Sequence, residues 1–183
     1  MIRSNKSKDY CIERFNTYKG KIGKKLLLQM MLSIEKKVIE KQQEKKEFNL
    51  EPFLVGIYFH DLGRIISDGD NHSELSYKLF LEFKKDEVYS DEEINIIKDC
   101  CLNHGSKSEP STKEGKYLQI LDKSIVFEPE IIVIVLEKML EKEGSWEKAY
   151  EQFIKKMNKW HDKIPDQRTK KELQQTLDYL NKL

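Results

Sequence analysis

The chain has few of the residues that interrupt regular structure, since its 183 residues include only 8 Gly and 4 Pro. Charged residues are abundant and make up 36% of the sequence. This composition is typical of long, solvated helices and argues against an all-β fold. We therefore predict an all-α protein, and its length suits one domain with a sizeable core.

Cysteine and long apolar runs are also scarce. Cys11, Cys100 and Cys101 are an odd number without C-x-x-C spacing, so neither a disulfide framework nor a cysteine zinc site is supported. We interpret the adjacent pair as small apolar residues in a reducing compartment. The apolar run at residues 131–136 is too short for a bilayer, which takes about 20 residues. Because the first residues lack the apolar core of a signal peptide, we expect a soluble, cytoplasmic protein without a membrane partner.

The chain has almost no net charge, because 33 Lys and Arg residues balance 32 Asp and Glu residues to leave +1. Proteins that bind nucleic acid usually carry a basic patch or stripe. No clustered strip of basic and aromatic residues occurs in this sequence. A nucleic-acid partner is therefore not expected.

The positions of Pro, Gly and capping residues, which mark helix boundaries, predict about eight or nine helices. One long helix is expected from Lys24 to about Glu47, and Pro52 begins the next helix, which ends near Gly63. Three capping boxes are predicted to begin further helices, at residues 71–74, 90–93 and 111–114. The remaining helices are bounded by Pro129, by Gly144 and Ser145, and by Pro165.

The helix that follows Pro52 ends in an adjacent His60 and Asp61. Apolar residues at helical spacing, Phe53 and Ile57, direct this pair toward the protein interior. Burying an imidazole beside a carboxylate costs free energy unless something pairs with them. A divalent metal ion is the usual partner, because both groups are good metal ligands.

Three further residues extend apolar stripes on later helices, namely His72, His104 and Asp122. A single histidine on an apolar face is usually a satisfied core residue. Several histidines and two aspartates on successive helices instead predict one shared metal site, since buried aspartate is rare without a partner. The predicted ligands are His60, Asp61, His72, His104 and Asp122. Such ligands suit one or two ions of Mn, Fe, Ni, Co, Mg or Zn.

The order of these motifs resembles the HD-domain superfamily of metal-dependent phosphohydrolases. The sequence His60-Asp61-Leu-Gly-Arg64 is similar to its His-Asp-Ile-Gly-Lys/Arg motif. The later elements of the family resemble Asn71-His72-Ser-Glu-Leu-Ser76, Asn103-His104 and Leu121-Asp122-Lys123. The resemblance covers residues 24–125 and implies a single HD-like helical bundle over residues 1–183. The helices of residues 129–183 would pack on that core.

The sequence departs from the family in its first metal ligand. HD proteins usually carry a histidine about 30 residues before the His-Asp pair, but no histidine precedes His60. Gln29 is the nearest polar substitute on the corresponding helix, either as a weak ligand or as a buried polar residue. The other metal position of the family, with Asp61 bridging to His72 and His104, is intact.

The resemblance implies a phosphohydrolase that cleaves a phosphoester of a nucleotide or of a small phosphorylated metabolite. Asp61 would take part in catalysis, and Arg64 and Lys123 would bind the phosphate of the substrate. A degenerate HD domain that binds a ligand or regulates without turnover is the alternative. A di-iron oxygenase on the same scaffold is a third interpretation.

Other polar residues near the motifs have weaker assignments. Glu74, with Asp68 or Asp70, is a candidate proton shuttle or orienting residue, although Glu74 also suits a helix cap. His161 and Asp162 form a second His-Asp pair near a helix end. We interpret that pair as a surface or packing feature because no companion ligands accompany it.

Overall fold

The regular secondary structure of the protein is helical throughout the residues that the computed structural model describes, which are 2–19, 23–67 and 69–182. Three short 3-10 helices occur in these ranges, at Leu62–Ile65, Lys84–Asp86 and Ile125–Phe127. The nine α-helices in the same ranges are α1 (Ile2–Asn16), α2 (Lys24–Lys45), α3 (Leu50–Phe59), α4 (His72–Phe83), α5 (Asp91–Asn103), α6 (Lys113–Ser124), α7 (Pro129–Glu143), α8 (Trp146–Asp162) and α9 (Gln167–Leu180). The predicted all-α class with eight or nine helices is confirmed.

The chain forms two compact units, Met1–Gln119 and Ile120–Leu183. The boundary between them falls within α6. A single domain over residues 1–183, with residues 129–183 packed on the core, stays a prediction from the sequence.

Helix α3 lies at the centre of the first unit. Its sequence is apolar on all sides, and every residue from Pro52 to Phe59 is buried. An α-helix of this kind is stable only when other elements cover it, and α1, α2, α4 and α5 all pack against α3. At Gly56, a Cβ atom would lie 2.7 Å from the Cβ atom of Cys100. The close crossing of α3 and α5 therefore depends on glycine at position 56.

Helices α7, α8 and α9 form the second unit in sequential contact, α7 with α8 and α8 with α9. Pro129 occupies the first turn of α7, and Gly144 ends that helix in the left-handed conformation with φ of 67°. Helix α9 begins two residues after Pro165, where the Asp166 carboxylate accepts a hydrogen bond from the Thr169 N–H. The apolar run at residues 131–136 lies inside α7. Among the described residues, no helix is long and apolar enough to cross a membrane.

One of the three predicted capping boxes forms. Ser90 and Glu93 exchange both hydrogen bonds of a capping box at the start of α5. Asn71 makes no capping hydrogen bond with its side chain, so the box predicted at residues 71–74 is wrong. The box predicted at residues 111–114 is also wrong, because Thr112 accepts from the Gly115 N–H in its place.

Candidate metal centre

The His60-Asp61 pair lies where α3 ends. Because α3 is buried on all sides, the residues that follow it are buried as well, with 3% of His60 and 7% of Asp61 exposed. Asp61 departs from α-helical geometry, with φ of −110° and ψ of 3°, and begins the 3-10 helix Leu62–Ile65. The prediction that both side chains enter the interior is confirmed.

Gly63 brings this 3-10 helix against the first turn of α4. A Cβ atom at position 63 would lie 2.0 Å from the carbonyl oxygen of His72 and 2.6 Å from the backbone nitrogen of Ser76. Only glycine permits such an approach. The N–H of Gly63 also donates to Oγ of the buried Ser76 over 2.8 Å. These contacts place His72, the first residue of α4, beside Asp61.

The three histidines of the first unit, His60, His72 and His104, are oriented by one recurring backbone contact. Each Nδ1 atom lies within hydrogen-bond distance of the carbonyl oxygen three residues earlier. These acceptors are the carbonyl oxygens of Ile57 at 2.7 Å, Gly69 at 2.9 Å and Cys101 at 2.9 Å. Because a carbonyl oxygen only accepts, each Nδ1 donates its proton there, and Nε2 is the ring atom left to act as a ligand.

Asp61, His72 and His104 bring three ligand atoms together. Oδ1 of Asp61 lies 3.3 Å from Nε2 of His72 and 3.6 Å from Nε2 of His104. The two Nε2 atoms are 3.2 Å apart. Oxygen and nitrogen ligands at about 2.0–2.2 Å from a metal ion lie roughly 3.0–3.6 Å from one another. The donor types and their spacing therefore fit a metal ion, and we call these three residues the metal cluster.

Arg64 contacts two atoms of the metal cluster. Its Nε atom donates to Oδ1 of Asp61 over 2.8 Å, and its Nη2 atom donates to Nε2 of His72 over 3.1 Å. The Arg64 side chain is 19% exposed, so its positive charge is only partly screened by solvent. The predicted phosphate-binding arginine thus lies directly at the candidate site.

The carboxyl group of Asp61 is held in its charged form. Burial acts to raise its pKa, but the contacts with His104 and His72, the nearby ring of His60 and the guanidinium group of Arg64 hold that pKa well below its usual range. A carboxyl group whose pKa is this low is ionised at neutral pH. Asp61 is therefore available as an anionic ligand.

His60 lies beside the metal cluster. Its Nε2 atom is 4.0 Å from Oδ2 of Asp61. Its ring meets the ring of His104 edge-on, with the ring centres 5.1 Å apart. The structure therefore brings four of the five predicted ligands of this site, His60 included, into one neighbourhood of the first unit.

The fifth predicted ligand, Asp122, belongs to the second unit. It is buried in the last turn of α6 and forms an ion pair with the ammonium group of Lys123. Lys123 is half-buried. The predicted roles of Asp122 as a metal ligand and of Lys123 as a phosphate-binding residue stay predictions from the sequence.

Gln29 makes a local contact on α2. Its side-chain amide donates to Oγ of Ser33, one turn further along the helix, over 3.3 Å. Gln29 is half-buried rather than fully buried. This contact favours the packing interpretation of Gln29 over the ligand interpretation.

His161, Asp70 and Glu74, which the sequence also singled out, are not part of the metal cluster. Nε2 of the buried His161 donates to the carbonyl oxygen of Lys170 over 2.9 Å, which agrees with a packing role. Asp70 and Glu74 are exposed. Asp68 lies outside the described residues.

Sequence reasoning missed Asp99, a buried carboxylate that holds the loop between α5 and α6. This loop begins at His104, one of the cluster residues. The donors to Asp99 are Asn103 Nδ2 at 2.7 Å, Ser111 N at 3.2 Å, Thr112 N at 2.8 Å and Thr112 Oγ1 at 2.6 Å. The available signal was an aspartate among the apolar residues Ile96, Ile97, Cys100 and Cys101 of α5.

Gln119 fixes the same loop from α6. Its side-chain amide donates to the carbonyl oxygens of Gly105 at 2.6 Å and Ser108 at 2.9 Å. Because buried backbone carbonyl groups need donors, these two bonds and the Asp99 contacts give the loop a defined shape. The wall next to His104 is therefore built by residues that carry no ligand atom.

Comparisons with protein-family models, with curated proteins and with solved structures find no match to this chain. The class that the fold and the site define is an all-α protein with a His/Asp group that could hold a metal ion. The resemblance to the HD-domain superfamily stays a prediction from the order of the motifs.

Proposed function

We propose that the protein is a metal-dependent phosphohydrolase that cleaves a phosphoester of a nucleotide or of a small phosphorylated metabolite. The observation that carries the proposal is the convergence of Asp61 Oδ1, His72 Nε2 and His104 Nε2, with Arg64 at the same point. The order of motifs shared with HD-domain phosphohydrolases supports the same reaction class.

The residues of the site suit this reaction in separate ways. When bound, a divalent ion would lower the pKa of a water molecule and would offset the negative charge of phosphoryl oxygens. Asp61, His72 and His104 would hold the ion, and the nitrogen and oxygen donors suit Mn, Fe, Co, Ni or Zn, with Mg as a weaker fit. The guanidinium group of Arg64 offers parallel N–H donors that match two oxygens of a phosphate.

The experiment compares Asp61→Asn with Asp162→Asn in protein that has been stripped with a chelator and reloaded with Mn, Fe, Co, Ni, Zn or Mg. Asp162 is a matched control because it also follows a histidine. It differs from Asp61 in that its side chain is 79% exposed. We expect hydrolysis of a generic phosphomonoester or of a nucleotide by the parent and by Asp162→Asn. The rate of hydrolysis by the Asp61→Asn variant should be lower by roughly a hundredfold or more, by analogy with the loss of a group that stabilises a transition state. Equal rates for Asp61→Asn and the parent with every metal would refute the proposal.

A binding module without turnover is the second candidate. It is favoured by the missing histidine before His60 and by the contact of Gln29 with Ser33. This candidate predicts saturable binding of Mn²⁺ and of inorganic phosphate but no product in any substrate panel. Calorimetric titration together with a product assay on the same preparation separates the two functions.

A further inference from the structure

Arg64 donates to the same atoms that would ligate a cation. Its Nε atom is 2.8 Å from Oδ1 of Asp61, and its Nη2 atom is 3.1 Å from Nε2 of His72. These are two of the three ligand atoms of the metal cluster. The guanidinium group has only N–H donors, so both contacts use lone pairs of the acceptor atoms.

Nε2 of His72 cannot serve Arg64 and a metal ion together. Nδ1 of this ring donates to the carbonyl oxygen of Gly69 over 2.9 Å and Nε2 accepts from Arg64, so the lone pair of the ring is on Nε2. A ring nitrogen has one lone pair, which either accepts a hydrogen bond or ligates a metal. Binding of a metal ion at His72 therefore requires Arg64 to leave.

We propose that Arg64 and a divalent cation are alternative partners of the metal cluster, and that binding of the cation releases the guanidinium group to receive an oxyanion of the substrate phosphate. The inference rests on the proposed metal site and adds an order of events to it. The released group stays close to the cluster because Arg64 lies in the 3-10 helix that begins after Asp61.

Two positive charges then lie side by side in a place that is mostly shielded from solvent. An anion that contacts both charges offsets their repulsion. Binding of the cation and binding of phosphate should therefore strengthen each other, and by linkage the factor is the same in both directions.

The test measures Mn²⁺ affinity by calorimetry on chelator-stripped protein, with and without inorganic phosphate. A buffer titration corrects for Mn²⁺ bound by free phosphate. The variants are Arg64→Gln, Arg64→Lys and the matched control Arg168→Gln, whose arginine is 87% exposed and pairs with Glu172. Circular dichroism and the Tm of each variant show whether it is folded.

Without phosphate, we expect Arg64→Gln to bind Mn²⁺ roughly tenfold more tightly than the parent, because the ion no longer displaces charge-assisted hydrogen bonds. Arg64→Lys should also bind more tightly, since an ammonium group keeps the charge but lacks the planar fork that holds two acceptors in a fixed geometry. Phosphate should tighten Mn²⁺ binding roughly tenfold in the parent and less than twofold in Arg64→Gln. Arg168→Gln should behave like the parent in both titrations.

A second measurement follows Arg64 in the parent protein itself. In the parent, the Arg64 Nε–H signal in an NMR spectrum should exchange slowly with solvent and should lose this protection when diamagnetic Zn²⁺ is added. The Arg64 Nε–H signal is assigned as the one that is missing from the spectrum of Arg64→Lys.

Two outcomes would overturn the exchange of partners, and a third would overturn the metal site on which it rests. If Arg64→Lys binds Mn²⁺ as the parent does while Arg64→Gln binds more tightly, the effect is charge repulsion alone and the exchange of partners is overturned. Unchanged protection of Arg64 on saturation with Zn²⁺ overturns it as well. If neither the parent nor any Arg64 variant binds a divalent ion, the proposed metal site fails, and the inference fails with it.

Discussion

At the scale of single residues, the missing side chain of Gly63 decides how closely Asp61 and His72 approach. A methyl group at position 63 would overlap the carbonyl oxygen of His72 at 2.0 Å. We expect Gly63→Ala to lower the free energy of unfolding by about 1–3 kcal/mol, the usual cost of overpacking a close contact. Because α4 must shift, Mn²⁺ binding should weaken as well. Chemical denaturation and calorimetry measure the two effects.

Gly105→Ala is the matched control for this prediction. A methyl group at position 105 would meet the hydroxyl oxygen of Ser108 at 3.3 Å, and a hydroxyl group can rotate away. Its stability and Mn²⁺ affinity should stay close to those of the parent. If Gly63→Ala matched Gly105→Ala in both measurements, the close approach at Gly63 would not be needed.

The convergence of His72 and His104 on Asp61 was predictable from the sequence, but the contacts of Arg64 were not. His72 and His104 extend apolar stripes on their own helices, and such a pattern is local. The contact of Arg64 with His72 depends instead on the approach of two segments at Gly63. A tertiary contact of this kind leaves no periodic pattern in the sequence.

At the scale of elements, the loop between α5 and α6 depends on Asp99. Burial acts to raise the pKa of this carboxyl, but hydrogen bonds from Thr112, Asn103 and the backbone of Ser111 and Thr112 lower it below the ordinary value of 3.8. A carboxyl group whose pKa is lowered on folding contributes stability above its unfolded pKa. That contribution is lost as the pH falls through the folded pKa.

We therefore expect Asp99→Asn to reduce the free energy of unfolding by about 1–3 kcal/mol at pH 7, since an amide nitrogen would face donors in place of a carboxylate oxygen. The difference from the parent should shrink as the pH falls below the ordinary carboxyl pKa. Urea denaturation at pH 7, 5 and 3 measures it. A difference that stays constant over this range would contradict the assignment of the charged form.

The helices after Asn71 and Ser90 both begin where the sequence predicts, but the capping box forms only where the backbone lets the side chain reach the first turn. Ser90 has extended geometry, with φ of −71° and ψ of 163°, and forms its capping box. Asn71 has φ of −82° and ψ of 2°, which does not direct its side chain toward the N–H groups of α4. Both segments show the capping pattern in sequence, and the backbone geometry that distinguishes them depends on tertiary contacts.

At the scale of the whole molecule, a bound ion would join three separate segments of the chain. The metal cluster takes residues from the end of α3, the start of α4 and the end of α5. An ion that binds only the folded state stabilises it by about 2.7 kcal/mol at a concentration of 100 Kd. For a protein of this size we expect Tm to rise by roughly 5–10 °C.

Calorimetric scans with and without Mn²⁺ check this rise in Tm. His104→Ala should lose the rise, whereas Asp162→Asn, at an exposed position of the second unit, should keep it. An equal rise in His104→Ala would show that the ion binds elsewhere on the protein.

Composition was enough to predict the fold class, because scarce Gly and Pro with many charged residues leave helices as the main choice. The apolar residues before His60 also predicted that His60 and Asp61 enter the interior, and both are buried. The two compact units were not predictable, since the boundary falls inside α6 without a change in composition.

The shared backbone contact of His60, His72 and His104 has a consequence for the speed of metal capture. Each ring is fixed by a carbonyl oxygen three residues earlier on its own segment. The rotational entropy of the rings is therefore lost when the helices fold and not when an ion arrives. The imidazole rings would then not need to rotate before an ion binds. A slow step in the association of an ion would come from the movement of other side chains.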